Sequence, residues 1–198
     1  MNLLSVTNTL DPAWGGPVEL LRSIASALVQ AGHEFHIITM DDARAPWLAN
    51  YICSVTALGP SKGRYAYNAK LIPHLQQIVS KYDAVIAHGL WTFPTTAASE
   101  AISGTNVPLF IYAHGDCSPY YLRPWSATSW KKRLYYKFKI APVLARAKGL
   151  LFISEEEYRQ SFESYKPSIG ARLLTRYGIS PPSFDRAFYT GNMTRTAL

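Results

Sequence analysis

A chain of 198 residues, 48% apolar and 17% charged, can bury a core of its own and is not the composition of a disordered protein. Its two cysteines, Cys53 and Cys117, are too far apart for a CxxC pair and too few for a disulfide framework, so a reducing, cytoplasmic compartment is expected. Met1 to Val6 lacks the basic start of a secretion signal and no apolar run nears the ~20 residues that cross a bilayer, while the net charge of +7 points to an anionic partner such as phosphate groups, anionic lipid or nucleic acid.

The pattern along the chain alternates between strand and helix. Leu3 to Thr7 is a short run of strand formers, and a loop from Asn8 to Pro17 ends in the turn Gly15-Gly16-Pro17. Val18, Leu21, Ala25, Leu28 and Val29 then recur at helical steps. Pro17 suits the first turn of that helix, and Gly32 suits its end. Strands are predicted over Phe35 to Met40 and Ile52 to Leu58, followed by a helix over Tyr67 to Lys81 that contains Pro73. Asp83 to His88 is a strand, Pro94 to Ser103 a helix and Val107 to Ala113 a strand. Trp130 to Lys148 is a long helix with a kink near Pro142. Gly149 to Ile153 is a strand, Ser154-Glu155-Glu156-Glu157 is a capping box, and Ala171 to Arg176 is a last strand. The strands are continuous apolar runs, as in a parallel sheet covered on both faces. The fold expected is therefore α/β: a Rossmann-like, doubly wound parallel sheet in one domain over residues 1–180, with 181–198 a linker or tail.

Such sheets bind ligands at the carboxyl ends of their strands. The Gly15-Gly16-Pro17 turn feeds a helix start, where free N–H groups can hold an anion. It is either a phosphate cradle or simply a tight turn, and it matches neither the GxGxxG fingerprint nor a Walker loop. Two strands run into His-Gly pairs, His88-Gly89 and His114-Gly115. Each imidazole could donate to a sugar hydroxyl or phosphate, move a proton, or serve as a structural residue. Asp116 could be a base, an acceptor for a sugar hydroxyl, or a solvated loop acid. No cluster of ligands at metal spacing and no GxSxG elbow accompanies these residues.

Between Asp116 and Glu155 there is no acid. That stretch carries Arg123, Lys131, Lys132, Arg133, Lys137, Lys139, Arg146 and Lys148, interleaved with Tyr120, Tyr121, Trp125, Trp130, Tyr135, Tyr136 and Phe138. A basic helix with aromatic flanks can lie on an anionic membrane, and Trp130, Lys131, Lys132, Arg133 and Lys137 are the residues that would meet it. A solvated basic face remains the alternative. Nucleic acid is the weakest of the three, since no nucleic-acid-binding motif is present.

Together these segments resemble the amino-terminal domain of GT4-type glycosyltransferases of the GT-B fold. The resemblance is carried by Gly15-Gly16-Pro17-Val18-Glu19, Ala31-Gly32-His33-Glu34, Val85 to Trp91, Pro108 to Gly115, Arg123-Pro124-Trp125 to Lys137, Leu151 to Glu157 and Tyr177-Gly178-Ile179. It implies two Rossmann-like domains facing a cleft, this one binding the acceptor and the other a nucleotide sugar. Gly15 and Gly16 would offer backbone to the donor diphosphate, and His114 would sit beside the transferred sugar. His88, with Trp91 and Asp116, would line the acceptor side. The resemblance further implies transfer with retention, no metal or cofactor beyond the nucleotide-sugar co-substrate, and a glycan or lipid-linked acceptor, with a peripheral place on the inner membrane face. The family's donor-binding domain has no counterpart after Ile179, so the chain alone is expected to bind nucleotide weakly and to be inactive. A non-catalytic binding or membrane-tethering subunit that partners a separate donor-domain chain is the alternative.

Overall fold

The computed structural model describes residues 1–61, 63–119, 129–164 and 171–175. Seven strands form one sheet: β1 (Asn2–Thr7), β2 (Glu34–Thr39), β3 (Ser54–Ala57), β4 (Ala84–His88), β5 (Leu109–Tyr112), β6 (Gly149–Phe152) and β7 (Ala171–Leu174). All pairings are parallel, in the order β3-β2-β1-β4-β5-β6-β7. The chain thus winds outward from β1 in both directions, which is the Rossmann-like arrangement, and the switch point lies between β1 and β4. The helices are α1 (Gly16–Gln30), α2 (Leu71–Ile78), α3 (Phe93–Ala101), α4 (Ser129–Tyr135), α5 (Ala141–Arg146) and α6 (Glu155–Ser164).

Alternation along each strand divides the core between the two faces. Leu4, Val6, Val85, Ala87, Leu109, Ile111, Leu150 and Phe152 face one way and pack with Leu71, Leu75, Ala97, Ala98, Val143 and Leu144 from α2, α3 and α5. On the opposite face Leu3, Phe35, Ile37 and Ala84 pack with Leu21 and Ala25 of α1. Leu20 of α1 joins Tyr112 and Leu151 farther along the sheet. That packing extends α1 across β5 and β6.

Several predicted boundaries shift for identifiable reasons. The second helix starts at Leu71 rather than Tyr67 because Asn68 closes a turn on itself. The Asn68 side chain accepts from the Lys70 N–H at 2.9 Å, and its carbonyl accepts from the Leu71 N–H at 3.1 Å. Pro73 then falls in the first helical turn, where its missing N–H leaves no bond unmade. The long helix through Pro142 is three pieces, with a π-helical segment over Tyr136–Ile140 between α4 and α5. Pro142 has no N–H to return to Phe138, and the Ala141 N–H bonds instead to the Tyr136 carbonyl in the wider ring. The tail 181–198, the segment Tyr177-Gly178-Ile179, Arg176, and Tyr120, Tyr121, Arg123 and Trp125 lie outside the described residues.

Leu4 is fully buried on β1, between β2 and β4. Leu4→Ala should lower the unfolding free energy by about 2–5 kcal/mol. Leu134→Ala, at a side chain 51% exposed, should stay within about 0.5 kcal/mol of the parent. Urea denaturation of both variants measures the contrast.

Candidate functional site

The two His-Gly pairs meet at the carboxyl edge of the sheet. His88 closes β4 opposite Tyr112 at the end of β5, and His114 follows two residues later. Gly89 and Gly115 take φ values of +80° and +82°, and His114 itself takes +50°. A positive φ is costly for a residue with a Cβ and is held only where the surroundings impose it. Here His88 Nδ1 and His114 Nε2 lie 2.9 Å apart, and His88 Nε2 lies 3.0 Å from Ser5 Oγ on β1. The rings of His88, Tyr112 and His114 stack on one another, with centroids 5.2–5.7 Å apart. Both nitrogens of His88 are therefore engaged inside the protein, and the side chain is 4% exposed. No ring nitrogen of His88 is left to donate to a ligand, although His88 does line the cavity beside His114.

Acidic side chains brace the loops around the imidazoles. Asp116 Oδ2 accepts the Leu90 N–H at 2.6 Å, and the Asp116 carbonyl accepts the Trp91 indole N–H at 3.2 Å. The two His-Gly loops are thus tied directly to each other. Glu157 departs from the capping box. Ser154 Oγ accepts the Glu157 N–H at 3.1 Å as expected, but the Glu157 carboxylate turns to the N–H groups of Ile153 and Gly115, at 3.2 and 2.5 Å. A helix cap read from local spacing is therefore also the clamp on the His114-Gly115 turn.

The first loop is held from β2. Buried Asp41 accepts from Thr9 Oγ1, the Leu10 N–H and Thr39 Oγ1 at 2.6–2.7 Å. Asp11 caps a short 3-10 turn over Pro12–Trp14 by accepting the Ala13 N–H. Gly15 then takes φ +65° as N-cap of α1, a conformation that requires glycine, and both Gly15 and Gly16 are exposed. A Cβ added at Gly16 would meet nothing within 4 Å, so the start of α1 faces open space.

These pieces converge. A cavity of about 190 Å³ is lined by residues that include Trp14, Pro17, Val18, His114, Trp91 and Asp116. A larger hollow of about 540 Å³ continues from it over β1, β2 and β3, past Trp14, Trp47, Arg44 and Arg64. The turn before α1 and the imidazoles therefore share one rim of the sheet. Sequence reasoning does not single out Ser5 or Asp41, and it reads Glu157 only as a helix cap and as part of the resemblance. Ser5 was detectable only as the one polar residue inside the apolar run Leu3 to Val6. Among the described residues no group of three or more His, Cys, Asp or Glu is placed to hold a metal ion.

Comparison with known proteins matches this architecture. The chain superposes on HepE of Anabaena, solved with UDP and glucose, at a TM-score of 0.62 and 18% identity, covering 90% of this chain and 45% of that one. It superposes on the sucrose-phosphate synthase of Thermosynechococcus elongatus at 0.58 and 17%, covering 90% and 48%. It superposes on the UDP-N-acetylglucosamine 2-epimerase of Rickettsia bellii at 0.55 and 11%, covering 87% and 44%. The fold is that of one half of a GT-B protein, and the chain spans about half the length of these neighbours. Among curated proteins none matches the sequence. The model of Glycosyltransferase Family 4 matches residues 14–168, and the chain belongs to that family.

Burial of these groups makes the site pH-sensitive in two opposing directions. Burial, with the His114 ring beside it, holds His88 well below the usual histidine range, and burial holds His114 at about 4. Between pH 6.5 and about 4 the unfolded chain binds more protons on these rings, so stability falls as pH falls through that window. Burial pushes Asp116 up to about 6 against the bonds it accepts from Leu90 and Trp91. Its contribution is present at low pH and is lost as pH rises through about 6. Two rings outweigh one carboxyl, so these groups together cost stability on acidification from pH 7 to 5. Asp116→Asn should steepen that loss by up to ~1.4 kcal/mol per pH unit, and His114→Gln should make it shallower. Urea midpoints at pH 7, 6 and 5 check both, and an Asp116→Asn slope equal to the parent's would contradict the assignment.

Proposed function

We propose that this chain is the acceptor-side half of a glycosyltransferase that moves a sugar from a nucleotide-sugar donor to a glycan or lipid-linked acceptor. The observation that carries the reading is the meeting of the α1 start, His114 and Asp116 around one open cavity, in a chain of this family that spans half the length of its structural neighbours. The exposed backbone at Gly15 and Gly16 suits a diphosphate, because N–H groups at a helix start attract anions. HepE holds UDP and glucose, which supports a nucleotide-sugar donor here. His114 stands beside the sugar to be transferred. The indole faces of Trp14 and Trp47 and the guanidinium of Arg44 suit an acceptor sugar in the adjoining hollow.

Transfer breaks the bond between the sugar and the diphosphate, and the leaving diphosphate gains charge. Among the described residues the cavity around His114 is lined by neither lysine nor arginine, so the facing half must supply most of the stabilisation. Calorimetric titration of the isolated chain with UDP should give only weak binding, and UDP release from a nucleotide sugar should be negligible. Turnover should appear when a donor-binding half is supplied, and His114→Ala should then cut kcat by about 100-fold. Robust turnover by the isolated chain, or a nearly unchanged rate for the variant, would remove the reading or the residue from it.

We infer also that the chain docks on an anionic membrane surface, whether as half of the enzyme or as a tethering subunit. Trp130, Leu134 and Phe138 are 59%, 51% and 62% exposed and recur every four residues along α4 and the π-helical segment. Lys131 and Lys137 lie over the rings of Trp130 and Phe138, and Arg133 and Lys139 are exposed beside them. The side chain of Lys132 lies outside the described residues. Among the described residues no helix is long and apolar enough to cross a membrane, and an apolar stripe flanked by cations suits surface binding. Sedimentation with phosphatidylglycerol vesicles should rise with anionic lipid content, fall with salt, and be lost when Trp130 and Phe138 are both changed to Ala. Partitioning that ignores lipid charge would defeat this part.

A further inference from the structure

Ser5 is fully buried on β1, in register with Ile86 of β4. Its hydroxyl makes one hydrogen bond among the described residues, to His88 Nε2. His88 bonds through its other nitrogen to His114 Nε2. We propose that Ser5 and His88 are positioning residues whose one-way chain of hydrogen bonds holds His114 as the Nδ1–H tautomer, so that His114 offers a proton donor to a ligand oxygen. This rests on the reading of the cavity as a sugar-transfer site.

The direction of the chain follows from satisfying every buried proton. A hydroxyl that is out of reach of water must donate, or its O–H goes unmet at a cost of about 1–3 kcal/mol. The acceptor available to Ser5 Oγ–H among the described residues is His88 Nε2. A neutral imidazole that accepts at Nε2 carries its proton on Nδ1. His88 Nδ1–H must therefore donate to His114 Nε2, across the 2.9 Å contact. His114 accepts at Nε2 and keeps its own proton on Nδ1. No hydrogen bond among the described residues uses that Nδ1–H, and the ring lines the cavity. In the reverse direction Ser5 would accept from His88, its O–H would have no acceptor, and His114 would present a lone pair instead.

The depressed proton affinity of both rings supports the argument, because neither carries a second proton near neutrality. The consequence for recognition is specific. An Nδ1–H donor matches the oxygen of a sugar hydroxyl or phosphate. It is the wrong partner for a group that must give up a proton, so in this state His114 is not a general base toward the cavity.

Long-range proton–nitrogen correlation spectra of the whole chain, with nitrogen-15 in histidine, read the tautomer directly. The expected result is a protonated Nδ1 and a bare Nε2 on His114 at pH 7. An Nε2–H form of His114 would overturn the proposal. Ser5→Ala removes the group that sets the direction and should cause partial loss of the Nδ1–H form of His114, while an unchanged spectrum would again overturn it. His88→Asn in the Ser5→Ala background places an amide N–H near the position of His88 Nδ1 and should restore that form. If the double variant does not fold, the parent and Ser5→Ala spectra still decide. In the enzyme completed by a donor-binding half, Ser5→Ala should lower kcat with the KM for acceptor unmoved. Failure of the transfer reaction with the expected tautomer present would sink the proposed function and leave the proton chain intact.

Discussion

The site depends on the register between β1, β4 and β5. Side chains along a strand alternate with a period of two, so pairing Ser5 with Ile86 and His88 with Tyr112 puts Ser5 and His88 on the face that α1 covers. A slip of one residue in β4 would turn His88 into the apolar layer under α2 and α3 and leave Ser5 without its partner. The register is fixed from the other face, where Leu4, Val6, Val85, Ala87, Leu109 and Ile111 are all at or near zero exposure. Burying those side chains is the largest favourable contribution available to the sheet. The polar chain at its edge is therefore positioned by an apolar layer it does not touch.

The alternation of strands and helices was legible because it is local. Apolar runs, the glycine at the end of α1 and the proline at its start all act within a few residues of themselves. Boundaries failed where a side chain competed with the helix, as Asn68 does before α2, and where Pro142 comes with a π-helical segment rather than a simple kink. The site was legible only in outline. Both His-Gly pairs could be assigned to strand ends, but not to one another, since His88 and His114 are 26 residues apart and Ser5 is 83 residues from His88. Glu157 shows the same limit. Its spacing from Ser154 announced a cap, while its carboxylate spans 42 residues to Gly115. Local rules describe neighbours on one element, and this site is built from contacts between loops that only the sheet brings together.

The net charge of +7 was a poor guide to this edge of the molecule. Among the described residues the cations gather on α4 and the segment after it, in Lys131, Arg133, Lys137 and Lys139. Among the described residues the cavity around His114 has no lysine or arginine in its lining, its imidazoles are neutral at pH 7, and the carboxylates of Asp41 and Glu157 are occupied by hydrogen-bond donors. The lining nearest His114 thus presents dipoles, while the arginines Arg44 and Arg64 line the adjoining hollow. Dipoles held by strand ends and by a glycine-fixed turn need no rearrangement when a ligand arrives, which is the condition under which they contribute most to a transition state.

That division bears on how such a surface can be stable. Lysines or arginines fixed around an anion site repel one another until the anion is bound, and burying them would strain a small domain. This half instead carries N–H groups at a helix start and neutral rings, whose burial costs little once their hydrogen bonds are made. The one ionisable group at the rim with a raised proton affinity, Asp116, spends its carboxylate on the Leu90 N–H. Such a surface can fold around its own core with no cation placed beside His114 among the described residues.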